Sequence, residues 1–496
     1  MNIFFRMISL SVLICTIPDV ICIASDLVNG PFTVGFGSFK THDNSRLYFS
    51  GEDTVPRPLL VHLWYPSEEM IMGSTLNFKH YIDLISQREN YAKLTSEIDQ
   101  NSFNYVHAYS EFAKVNLDLD TSIHVQDILD SPVYAKSGIP IQNIVSGSPL
   151  LIYAPSNSKS SVQNHMICEY LASYGFIILS VASAGPTSIQ RENIQESTMA
   201  QVIDMEYILK YCEDSLHIKY SKLGLIGFSS GGNANTIFQM RNKSVDAVFS
   251  MDGGQEYGAY IALNRMRDFD LEKADVPYCC VVNNYVDFSI YPLYGSVNTS
   301  EKYLFQMPFL NHNGFISHWR FFESCSSLTL ESPGSISYDY ICECALAFLS
   351  QYLMTASSLN WESFLDEMDK EYIRPIKLNN TAIATLCNTL LNEPLNSAVS
   401  YMLNHVAELF ADETQVNILA RMFIDGNIDL AIFLGMNNVD KHPDSWKAHY
   451  NLAYMYKEKG ETALSKNSLL KANALNPDNT DIVDLLNKVN KMESKE

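Results

Sequence analysis

The stretch from Leu223 to Gly232, Leu-Gly-Leu-Ile-Gly-Phe-Ser-Ser-Gly-Gly, constrains this chain more than any other. An apolar run, Leu223 to Ile226, enters a Gly-x-Ser-x-Gly pentad centred on Ser229, and no helix breaker interrupts Asn233 to Met240 behind it. A buried strand that turns sharply into a helix strains the residue at the apex and needs small neighbours where strand and helix approach. Ser229 is that residue. Its hydroxyl would stand above a sheet, near the positive end of the following helix, and becomes a nucleophile once an imidazole can take its proton. Without such a partner the same pentad is an ordinary strand-to-helix turn.

The surrounding pattern supplies the sheet. Pro149–Ala154, Gly175–Val181, Val245–Met251 and Val276–Val282 read as compact apolar strands. Between them Val162–Tyr174 reads as an amphipathic helix and Ser197–Cys212 as a second one, while Tyr338–Met354 is a strongly apolar helix that closes the unit. Strands alternating with helices predict an α/β fold, a mostly parallel sheet covered on both faces. Arg57–Pro66 is a further strand at its side. From Phe78 to about residue 130 the spacing turns helical, without Gly or Pro, and predicts a helical insertion that acts as a lid or as padding.

At 496 residues the chain exceeds one ordinary domain. Composition turns polar over 356–380, which predicts a linker between a sheet domain at 25–355 and a helical domain at 381–496. The net charge of −22 argues against nucleic acid and anionic membrane as partners. The first 24 residues have the layout of a signal peptide: Arg6, an apolar Met7–Ile17, and small residues Cys22 and Ala24 before a cleavage point at Ser25. Pro18 and Asp19 interrupt the run, so no spanning helix is expected there, and the mature chain is expected in the periplasm or outside the cell. Eight cysteines would remain, without paired C-x-x-C spacing, so buried thiols with one or two bridges are expected and a zinc site is not.

A serine nucleophile needs an acid and a base further along such a chain, in that order. Asp252 ends the strand after the motif, before Gly253 and Gly254; Asp287, one strand later, is the rival acid. Of the downstream histidines, His405, His442 and His449 fall in the helical region. His312 lies in the loop Asn311-His312-Asn313-Gly314, where a base can reach over a sheet edge, whereas His318 begins a hydrophobic segment. The oxyanion that forms on attack needs two N–H donors. Ser230 supplies one. Pro155 cannot donate, which leaves Ser156 or Asn157 for the second.

Five segments together resemble the platelet-activating factor acetylhydrolase and dienelactone-hydrolase-like branch of the α/β-hydrolases. They are Gly-Pro-Phe-Thr-Val-Gly at 30–35, Leu-Trp-Tyr-Pro-Ser at 63–67, Pro-Leu-Leu-Ile-Tyr at 149–153, Leu-Ala-Ser-Tyr-Gly-Phe-Ile at 171–177 and the serine motif. The resemblance spans about Gly30 to Met354. It implies an α/β-hydrolase fold, an acid at Asp252, a histidine in the His312-Asn313-Gly314-Phe315 loop, hydrolysis of acyl esters, and no metal or cofactor. It also implies a His-Gly pair before the oxyanion donor, where this chain has Pro155-Ser156 and puts Asn157 on the donor position. Further on, Tyr450, Asn451, Leu452, Tyr456, Gly460, Ala472, Leu475, Asn476 and Pro477 resemble a tetratricopeptide repeat, with Gly426 and Pro443 standing 34 residues before Gly460 and Pro477.

Two functions follow as expectations. One is an exported serine esterase that acts on a small acyl ester through Ser229, Asp252 and His312, with Asn157 and Ser230 as oxyanion donors. The other is an inactive hydrolase-like scaffold whose repeats bind a protein partner. Nothing in the sequence selects amides over esters, so a peptidase on the same fold is the weaker third.

Overall fold

Strands with no polar break must lie inside a sheet covered on both faces, and the structure puts them there. A computed structural model of the chain describes residues 27–50, 53–68, 73–87, 95–117, 124–157, 159–187, 193–284, 291–297, 299–325, 332–355, 360–376, 413–424, 427–477 and 479–493. The leader at 1–24, Asp287, Cys387, His405, Gly426 and the helices expected within 381–410 lie outside the described residues.

Eleven strands form one sheet: β1 (Thr33–Ser50), β2 (Asp53–Ser67), β3 (Ser74–Asn77), β4 (Pro132–Ser137), β5 (Leu150–Ala154), β6 (Ile177–Val181), β7 (Leu223–Phe228), β8 (Val245–Met251), β9 (Tyr278–Val282), β10 (Lys302–Gln306) and β11 (Arg374–Pro375). Their order is β11-β10-β9-β8-β7-β5-β6-β2-β1-β4-β3. From β6 through β5 to β10 every pairing is parallel, and β2 runs against both β1 and β6. The chain leaves β5 toward β6 on one side and returns as β7 on the other. That reversal opens a crevice at the carboxyl ends of the strands, where ligands sit in such sheets. This strand order, with a serine turn after β7, is the α/β-hydrolase fold. β1 and β2 form a hairpin much longer than the 57–66 segment recognisable from sequence, with a bulge between Asp43 and Leu47.

Helices α1 (Phe78–Gln87), α2 (Thr95–Leu117) and α3 (Val125–Asp130) make up the insertion. They are followed by α4 (His165–Ser173), α5 (Ile194–Asp214), α6 (Ser230–Arg241), α7 (Ala259–Leu263), α8 (Pro292–Ser296), α9 (Ser317–Ser324), α10 (Pro333–Leu353) and α11 (Trp361–Glu367). Side chains alternate along each strand between two cores. Leu151, Tyr153, Ile226 and Phe249 face α4, α9 and α10, while Leu150, Ile152, Leu225 and Val248 face α5 and α6. α4 is not amphipathic: all nine of its residues are buried. Its polar residues are paired instead of solvated. Glu169 accepts hydrogen bonds from Tyr81 Oη (2.7 Å), Ala135 N (3.1 Å) and Tyr134 N (3.3 Å). The insertion packs into the same core, with Phe78 stacked on Phe321 at 4.6 Å.

Residues 360–376 are not a linker. Trp361, Met368 and Ile373 are buried in the sheet domain, Trp361 sits against Phe348 and Tyr303, and β11 pairs with β10. The polar composition there belongs to the outward side chains. Further on, α12 (Glu413–Met422), α13 (Ile428–Lys441), α14 (Trp446–Lys459), α15 (Thr462–Leu475) and α16 (Thr480–Glu493) pack each on the next. Small residues let them approach: a Cβ on Gly435 would lie 3.0 Å from the Met455 sulfur. Gly460 ends α14 in the left-handed region at φ +85°, which costs a glycine nothing. No described helix is long and apolar enough to cross a membrane, and the seven described cysteines carry free thiols.

Trp361→Ala tests whether α11 belongs to the sheet domain. Truncating a buried tryptophan costs about 3–5 kcal/mol, so the urea midpoint of that domain should fall substantially; an unchanged midpoint would contradict the packing.

Candidate active site

Ser229 follows the last residue of β7 and has φ +56° and ψ −120°, a region other side chains avoid. Its backbone is held from three sides: its N–H donates to Met251 O, and its carbonyl accepts from Gly232 N and Gly254 N, each at 3.0 Å. The flanking glycines serve close approach. A Cβ on Gly231 would lie 1.9 Å from Ala154 O, and one on Gly227 would lie 2.5 Å from Asn235 Nδ2.

His312 opens a short 3-10 turn after β10, and the Asn311 side chain caps that turn by accepting from Gly314 N at 3.0 Å. The imidazole stacks on Phe228 at 5.0 Å. Its Nε2 lies 3.0 Å from Ser229 Oγ, and its Nδ1 is hydrogen-bonded to Asp252 Oδ2. A carboxylate can only accept, so Nδ1 carries the proton and Nε2 turns its lone pair to the serine. Asp252 is fully buried while His312 is half exposed. Three further donors reach the carboxylate: Asn283 N (3.1 Å) and Tyr257 Oη (2.6 Å) on Oδ1, and Asn283 Nδ2 (2.9 Å) on Oδ2. Burial, and then the Asp252 charge, hold the Tyr257 phenol well above its ordinary pKa, so it stays a donor.

Beside Ser229 is a cavity of about 490 Å³, lined in part by Ser156, Asn157, Gln201, Ser230 and Tyr257. Gln201 Nε2 donates to Pro155 O at 2.8 Å and pins the turn that carries Ser156 and Asn157. Ser230 begins α6, so its N–H has no carbonyl within the helix to donate to. Thus Ser229, Asp252 and His312 are hydrogen-bonded in series, and Asn157 and Ser230 border the same space. None of the cavity's described lining residues comes from the insertion at 78–130. His318 is buried, and desolvation pushes its pKa down to about 3. His449 caps a turn in the C-terminal helices by bonding Pro443 O at 2.9 Å. Asp287 lies outside the described residues. Asn283 and Tyr257 have no local sequence signal, because each is defined by what it touches. No group of three or more His, Cys, Asp or Glu is arranged to hold a metal among the described residues.

No family model matches the chain. No curated protein matches it in sequence. A solved ferulic acid esterase from Streptomyces cinnamoneus superposes with a TM-score of 0.47 at 14% identity, over 70% of this chain and 97% of its own. A dienelactone hydrolase from Anabaena variabilis does so with a TM-score of 0.30 at 18% identity, over 42% of this chain and 88% of its own. Likenesses this distant carry no inference about substrate.

Glu256, on the turn after Asp252, is buried and accepts from Tyr278 Oη (2.7 Å) and Tyr294 N (3.1 Å). Burial pushes its pKa up to about 7, against the opposing pull of those donors. Between the ordinary carboxyl value of 4.5 and about 7 the folded chain therefore holds a proton that the unfolded chain has lost. Stability is full below that window and falls as pH rises through it, by ~3 kcal/mol from this group. Glu169 is pushed the same way, while His62, His165 and His318, buried and held neutral, tilt the profile the opposite way below about pH 6.5. The readout is therefore the difference: the urea midpoint of the wild type relative to Glu256→Gln should fall from pH 5 to pH 8. An identical slope in the variant would refute the assignment.

Proposed function

We propose that the chain is a serine hydrolase that cleaves carboxylic esters through an acyl-enzyme. The observation that carries this reading is the hydrogen-bonded series from Ser229 Oγ through His312 to the buried Asp252 carboxylate, at a strained turn beside a cavity. Ser229 Oγ attacks the acyl carbon as His312 Nε2 takes its proton. The carbonyl oxygen becomes an anion, which the N–H groups of Ser230 and Asn157 receive. His312 returns the proton to the alcohol oxygen, the C–O bond breaks, and the alcohol leaves. Water, deprotonated by the same imidazole, then attacks the acyl-serine and frees the acid. Asp252 holds the imidazole in one tautomer and offsets its positive charge while the proton is on it. Asn157 replaces a donor whose usual turn is different; the Gln201 bond to Pro155 O supports a fixed turn here.

We further propose export, on the strength of the N-terminal apolar segment, and a second domain of tetratricopeptide-like helices that binds a protein partner. The bonding of 360–376 to the sheet supports a division between the two units beyond residue 376.

A fluorophosphonate probe should label the wild-type chain at Ser229, and Ser229→Ala should abolish labelling while circular dichroism stays unchanged. A folded wild-type chain that takes no label would sink the proposal and favour the scaffold reading. Asp252→Asn should lower kcat by roughly 10³–10⁴, because the amide can stabilise the wrong tautomer; a fall of less than about tenfold would remove Asp252 from the mechanism.

A further inference from the structure

We infer that the acyl half of the substrate bears hydroxyl groups: the chain cleaves esters of short hydroxy acids in preference to esters of plain aliphatic acids. This rests on the esterase reading above. The side of Ser229 on which each half lies follows from the proton transfer. His312 Nε2 must reach the leaving oxygen, so the alcohol lies toward His312. The cavity is bordered by Ser229, Ser230 and Asn157 and is not lined by His312. It therefore receives the acyl chain.

The cavity wall is built to hydrogen-bond. α5 contributes Ser197, Thr198 and Gln201, and α6 contributes Asn233 one helical turn beyond Ser229. Ile194, Ala259 and the ring of Tyr257 are its apolar side chains, and no lining residue among those described is charged. Three buried polar atoms there have no protein partner: Asn233 Oδ1, Ser230 Oγ and Ser197 Oγ. Asn233 itself is only 4% exposed. An aliphatic chain filling the cavity would take water from the polar side chains that border it and offer nothing in return, whereas a hydroxyl can both give and accept. The lack of a charged wall favours a neutral group over a second carboxylate. A site built to bond a hydroxyl rejects the analogue that lacks it far more strongly than an apolar pocket discriminates by size.

The test uses the full chain and three p-nitrophenyl esters with one leaving group: 3-hydroxybutyrate, butyrate and octanoate. The expected kcat/KM for 3-hydroxybutyrate exceeds that for butyrate by at least ~10-fold, and octanoate is the poorest. Asn233→Leu should bring the 3-hydroxybutyrate to butyrate ratio to within about threefold of one; if that variant does not fold, Ser197→Ala should lower the ratio in the same direction. A chain that takes the fluorophosphonate label but prefers butyrate or octanoate, cleaves none of the three, or keeps its ratio in the folded variants overturns this inference and leaves the esterase reading standing. A chain that takes no label and cleaves no ester overturns both.

Discussion

A side-chain carbon at Gly231 would fall 1.9 Å from the carbonyl oxygen of Ala154, and most of the site depends on that approach. It lets α6 lie directly against the end of β5, so that the N–H of Ser230 and the turn at Ser156 and Asn157 border one space. It also forces the reversal at Ser229, whose left-handed φ costs about 1–3 kcal/mol. Three backbone hydrogen bonds surround the strained residue, each with a net value of about 0.5–1.5 kcal/mol. The two sums are of similar size, so the turn persists only because Met251 and Gly254 of the neighbouring strand and its loop hold it. The serine's position is thus a property of β5, β7 and β8 together.

Buried charge is managed in two ways. Among the described residues Asp252 has no Lys or Arg beside it, and it takes hydrogen bonds from Asn283, Tyr257 and the His312 imidazole. Asp204, on α5, takes Arg57 by two bonds of 2.7 and 2.5 Å, and Arg57 also donates to Gly185 O at 2.7 Å. Removing either partner of such a buried pair strands the other charge at a cost of several kcal/mol. The pair fixes the loop after β6 to the helix that walls the cavity, so Ser197 and Gln201 are held in place from behind.

The parts legible in the sequence share one property: neighbours within a few residues define them. The turn at Ser229 needed only the apolar run, the glycines and the unbroken helix. The core strands announced themselves by the absence of polar residues. Where partners lie far along the chain, local pattern misled. The segment Val162–Tyr174 reads as amphipathic, yet α4 is buried on every side, and Tyr81 and the backbone at 134–135 satisfy Glu169. Polar residues around Trp361 suggested a linker, yet Trp361, Met368 and Ile373 anchor that segment to the sheet. β10, Lys302–Gln306, carries little local signal because Lys302 and Gln306 bracket a run of only three apolar residues, and the burial of Gln306 is set by its neighbours in the sheet.

By itself the sequence determined an α/β sheet with a serine at a sharp turn, and it narrowed the acid and the base to a few candidates. Those are consequences of local sterics and of which residues avoid water. Only the tertiary structure decided that the His312 ring reaches Ser229 while His318 is buried against Val162, and that Asn283 and Tyr257 close around Asp252. It alone revealed the polar wall of the cavity. The reason is geometric: a hydrogen bond between groups 60 or 83 residues apart is set by how strands are ordered in the sheet, and strand order leaves no mark on the residues at either end.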